Sequence, residues 1–66
     1  MTVRECRKKK HMSCETIATK MGISVEKYKL YERNPGNMPA NLAILFSIIV
    51  GVSYDDIFFG NPLYLK

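Results

Sequence analysis

Residues 13–33 read SCETIATKMGISVEKYKLYER, and only Gly22 and Ile23 separate the two helical patterns in this stretch. Ser13 and Ser24 are good N-caps. Gly22 stands where a left-handed C-cap ends the earlier helix. Two helices joined by so short a link cannot fold back side by side, so they meet at a steep angle. Ala18 is small where such helices cross. Ile17, Met21, Ile23, Tyr28 and Tyr31 recur at helical spacing toward one shared core. A plain helical hairpin packed for stability uses the same residue types singly. The joint pattern points instead to a helix-turn-helix.

The rest of the chain must complete a core around that pair. Its 66 residues are enough for one small domain, and 47% apolar residues suffice for one modest core. The apolar period is helical throughout, and no strand pattern is evident. Expected helices cover about residues 2–10, 14–21, 25–33, 41–50 and 54–59, with a tail at 61–66. Gly51 ends the fourth helix. Ser53 caps the fifth, with Asp55 and Asp56 in its first turn. The expected fold is all-α, with five helices in a single domain spanning residues 1–66.

Charge narrows the partner. Ten basic against six acidic side chains leave a net charge of +4, and Arg7, Lys8, Lys9 and Lys10 are consecutive. A surplus of this kind on a small domain favours a polyanion, nucleic acid first and an anionic membrane surface second. The bland reading is a solvated face. The apolar run at 42–52 is about half a membrane span, so no membrane association is expected. A cytoplasmic setting that keeps Cys6 and Cys14 reduced is expected. Cys6, His11 and Cys14 form a C-x4-H-x2-C pattern. Structural zinc wants four ligands and closer cysteine pairs, so no metal is expected. His11 is the only histidine, and neither paired carboxylates nor a Gly-rich phosphate loop accompanies it. The chain is therefore read as no enzyme, with no cofactor and no small-molecule ligand.

SCETIATKMGISVEKYKLYERN, followed by MPANLAILFSIIVGVSYDDIFFG, resembles the Xre/Cro type of bacterial and phage repressor domain. The resemblance runs from residue 3 to about residue 60 without an evident gap. Departures are Cys14 where the family usually has Gln, Tyr28 where it has Ile or Val, and Asn34 where it has Gly. Asn tolerates the left-handed conformation that such a glycine adopts.

The resemblance implies a lambda-repressor-like fold and a DNA-binding regulator of transcription, of the phage, prophage or mobile-element repressor type. It implies that Arg7 pairs with Glu32 and braces the recognition helix, whereas an exposed Glu32 would contribute almost nothing. Carried over by position, Val25, Glu26 and Leu30 read base edges in the major groove of a double-stranded operator. Lys27 and Lys29 are further candidates for contacts to guanine. Ser13, Cys14, Lys27, Arg33, Asn34 and Asn37 are placed for phosphates. Lys8, Lys9 and Lys10 either join that surface or are solvated.

Phe46, Ile49, Val50, Phe58, Phe59 and Tyr64 exceed what one small domain readily buries. A homodimer through helices four and five and the tail is therefore expected. The rival functional class is a protein-binding module, an antitoxin or anti-repressor on the same scaffold. An operator footprint, or a toxin gene beside its own, separates the two.

Overall fold

The computed structural model describes residues 1–59. Among them are four α-helices and no extended sheet: α1 (Val3–Lys9), α2 (Cys14–Met21), α3 (Val25–Arg33) and α4 (Ala40–Val50). Two single 3-10 turns, Pro35–Asn37 and Tyr54–Asp56, follow α3 and α4.

Each start has a local cause. Thr2 caps α1 through a reciprocal box: its side chain accepts from the Glu5 N–H, and the Glu5 carboxylate accepts from the Thr2 N–H at 2.8 Å. Ser13 and Ser24 cap α2 and α3 by accepting from the N–H groups of Thr16 and Lys27. Pro39 precedes α4 and offers no side-chain cap.

Three ends share one device. The N–H groups of Met12, Ile23 and Val52 reach back to the carbonyls of Arg7, Ala18 and Ser47, closing α1, α2 and α4 with the same six-residue loop. The residue before each of those donors is left-handed: His11 at φ 56°, Gly22 at 73° and Gly51 at 69°. Met12, Ile23 and Val52 then pack against the core as the apolar residue just beyond the turn. At His11 an L-residue occupies the position that glycine fills in the other two.

The core draws on every helix. Val3 and Cys6 come from α1, Ile17, Ala18 and Met21 from α2, Tyr28 and Tyr31 from α3, and Ala43, Phe46 and Val50 from α4. Tyr28 and Phe46 stack with ring centroids 6.4 Å apart, which joins α3 to α4.

Several expectations need correction. The helix expected at 54–59 is only the turn Tyr54–Asp56. Beyond it Ile57 and Phe59 are buried while Phe58 is exposed, an alternation that extended backbone supplies and a helix does not. Phe58 pairs with Thr2 in an isolated parallel bridge, its N–H donating to the Met1 carbonyl. Asn34 is not left-handed, at φ −129° and ψ 74°, because Pro35 disfavours helical geometry in the residue before it.

The apolar strip assigned to dimerisation also changes. Phe46, Val50 and Phe59 are buried and Ile49 is partly so, which leaves Phe58 as the strip's one well-exposed member among the described residues. Tyr64 and the tail lie outside the described residues. The large apolar side chains that α4 does expose are Ile44 and Ile48.

Candidate nucleic-acid interface

The link between α2 and α3 consists of Gly22, Ile23 and the cap Ser24. A Cβ built at Gly22 would meet nothing within 4 Å, so glycine is needed there for its positive φ and not for space. α3 leaves this link with Tyr28 and Tyr31 turned into the core. Glu26, Lys27, Lys29, Leu30 and Arg33 are exposed, whereas Val25 is partly buried against the core. The outer side of α3 thus carries three cations, one carboxylate and an exposed leucine.

Glu32, on the same helix, accepts four hydrogen bonds from three side chains. Arg7 Nε lies 2.7 Å from Glu32 Oε2, and a second guanidinium N–H of Arg7 reaches Oε1 at 3.3 Å. The third Arg7 nitrogen donates to the Met12 carbonyl at 3.0 Å, which ties the left-handed end of α1 to the same guanidinium. The buried Tyr28 hydroxyl donates to Glu32 Oε2 at 2.9 Å, one helical turn away. Arg4 adds Nε at 3.3 Å from Oε1. The Glu32 and Arg7 side chains are only 7% and 15% exposed, while Arg4 is 61% exposed, so Arg7 carries the tightly held bond. No side-chain polar atom buried among the described residues lacks a partner.

The charge states follow from these neighbours. Burial pushes the Glu32 carboxyl up, but hydrogen bonds from Arg7 and Tyr28 and the attraction of Arg7 outweigh it and hold the carboxyl below its ordinary value. The bond to Glu32 raises Arg7. Burial first, and then the bond to Glu32, push the Tyr28 phenol far up, so it remains a donor. Burial also raises the Cys6 thiol, as suits a core residue.

The residues expected at phosphates lie at the start of α2 (Ser13, Cys14), on α3 (Lys27, Arg33) and in the turn that follows it (Asn34, Asn37). Ser13, Arg33, Asn34 and Asn37 are exposed and Cys14 is partly buried. The Ser13 hydroxyl accepts from the Thr16 N–H and donates to Thr16 Oγ1 at 2.9 Å, so its proton is already engaged in the cap. The first N–H groups of α2 and α3, and separately the exposed cations of α3, can each receive an anion. Lys10 lies elsewhere: its Cε and Nζ stand 3.5 Å from a Cβ built on Gly51, at the negative end of the α4 dipole.

Sequence reasoning missed Arg4, the Tyr28 hydroxyl and the Thr2–Glu5 box. Each has a signal in the chain: Arg4 precedes Arg7 by three residues, Tyr28 precedes Glu32 by four, and TVRE is a capping-box pattern.

Among the described residues no group of His, Cys, Asp and Glu could hold a metal ion, and no helix is long and apolar enough to cross a membrane. No family model, curated protein or solved structure matches the chain.

Proposed function

We propose that this chain is a sequence-specific double-stranded DNA-binding regulator of transcription, a repressor of phage, prophage or mobile-element type with a lambda-repressor-like helix-turn-helix. One observation carries the reading. α3 is held from behind by a stacked tyrosine, by the Glu32 cluster and by the Gly22 turn, while Lys27, Lys29 and Arg33 are exposed and in no ion pair among the described residues. A reading surface must be rigid as well as free, since base contacts need side chains held within a fraction of an ångström.

In this reading α3 enters the major groove. Glu26 accepts from a cytosine amino group, Leu30 meets a thymine methyl, and Lys29 bonds guanine. Val25, being partly buried, contributes its edge only. Lys27, Arg33, Asn34 and Asn37 hold phosphates, and the start of α2 with Ser13 and Cys14 receives another through free backbone N–H groups. Arg7 and Glu32 touch no DNA and serve to orient α3.

Selection of bound duplexes from a random pool tests this. Enrichment of a defined site supports the reading, and replacing Val25, Glu26 and Leu30 together should change the enriched sequence. A consensus that survives the triple change but shifts when Lys8, Lys9 and Lys10 become Ala puts recognition elsewhere. Failure to enrich any site from the pool refutes sequence-specific recognition.

A further inference from the structure

We propose that the outer side of α3 reads 5-methylcytosine, Glu26 and Leu30 meeting the same modified base; the proposal rests on the DNA reading above and names its target. At about 100° per residue, Glu26 and Leu30 stand one turn apart along α3 and only about 40° apart around it. Both are exposed, on the side away from the buried Tyr28 and Tyr31. The Glu26 carboxylate is in no ion pair among the described residues. Leu30 is 54% exposed and is the one large apolar side chain that α3 leaves open. A base that satisfies both must show a hydrogen-bond donor and an apolar group side by side.

None of the four ordinary bases does so, and 5-methylcytosine does. In the major groove cytosine shows an amino donor alone, thymine a methyl beside an acceptor, and adenine an amino donor beside the N7 acceptor. A carboxylate accepts from the amino group and is repelled by an acceptor, so Glu26 favours cytosine. Methylation at C5 sets an apolar group next to that amino group, where thymine carries its own methyl. Leu30 contacts either methyl equally, and Glu26 makes the distinction. Lys29, exposed on the flank of the same side, bonds O6 or N7 of the paired guanine. Lys29 and Arg33 also offset the repulsion that Glu26 meets from the phosphates.

One methyl group sets the size of the effect. Burying it against Leu30 should tighten binding about three- to fourfold, the worth of one buried apolar carbon. Thymine keeps the methyl but turns an acceptor toward Glu26. It should bind at least about fivefold more weakly than 5-methylcytosine in the same place, the lower bound for a wrong base.

The test takes the duplex enriched from a random pool and resynthesises it with each cytosine in turn plain or methylated at C5. Affinity is read by fluorescence anisotropy. Methylation at one cytosine should tighten binding about three- to fourfold. Leu30→Ala should lose that gain with an unchanged far-UV CD spectrum, because Leu30 is an exposed helix residue. Lys27→Ala should weaken binding to the plain and methylated duplexes alike and keep their ratio. Glu26→Gln should move the preference at the methyl-sensitive position from cytosine toward adenine, which glutamine reads. Failure to enrich any duplex refutes the DNA reading, and 5-methylcytosine recognition with it. An enriched duplex in which no cytosine tightens on methylation leaves that reading standing and overturns 5-methylcytosine recognition alone. A gain that persists in Leu30→Ala, or a cytosine preference that persists in Glu26→Gln, overturns it as well.

Discussion

Replacing Glu32 with Gln keeps the shape of the side chain but removes its charge, leaving Arg7 largely buried without a counter-ion. Breaking a buried pair by removing one partner costs about 3–5 kcal/mol. Two features reduce that here: Arg7 is still 15% exposed, and one of its nitrogens keeps the Met12 carbonyl. Losing the charged acceptor of the Tyr28 hydroxyl adds to the cost. The expected loss is about 3 kcal/mol, which for a domain of this size lowers the melting temperature by roughly 12–24 °C. Total stability for a chain this short is about 3–10 kcal/mol, so the variant should be marginally folded. Urea titration followed by far-UV CD measures the loss.

The pH dependence provides a second reading of the same substitution. The folded carboxyl is held below its ordinary value, so the ionised form stabilises the fold above the unfolded value of about 4.3. That contribution disappears as pH falls through the lower folded value. The unaltered chain should therefore lose more stability than Glu32→Gln between about pH 6 and about pH 3. Arg4→Gln is the control: at 61% exposure it should cost under about 0.5 kcal/mol. If Glu32→Gln costs no more than that control, and its acid slope overlays that of the unaltered chain, Glu32 is no brace and the reasoning fails.

Tyr28→Phe keeps the stack on Phe46 but deletes the bond to Glu32, so it should cost about 1.5–3 kcal/mol by chemical denaturation, the worth of a bond to a charged group. His11→Gly should stabilise by about 0.5–1 kcal/mol, because φ 56° strains an L-residue while the imidazole is exposed; a lower melting temperature would count against this. Gly22→Ala should cost about 1–2 kcal/mol through backbone strain alone, since its Cβ has open space. Lys27→Ala and Arg33→Ala should each weaken binding to selected and random DNA alike and flatten the salt dependence by about one phosphate, as read by fluorescence anisotropy at several salt concentrations. Unchanged affinity at low salt would remove that residue from the interface.

The first four helices were legible along the chain because their determinants are local. Ser13 and Ser24 sit directly before their helices, Gly22 and Gly51 directly after theirs, and the apolar residues recur at helical spacing. The meeting of Arg7 with Glu32 was suggested by resemblance alone, because nothing local links residues 25 positions apart. Tertiary structure decided the rest, where several local outcomes were open or where surface had to be divided between core and solvent. SYDDIFF reads locally as a capped helix. Burying Ile57 and Phe59 together while Phe58 pairs with Thr2 demands extended backbone, and that need comes from the far end of the chain. α4 has only Asn41 and Ser47 as polar side chains, and Ser47 is buried, so its sequence has no continuous polar face to mark the outside. Only packing against α2, α3 and the Tyr54–Asp56 turn settles that Phe46 and Val50 go inward while Ile44 and Ile48 remain in solvent.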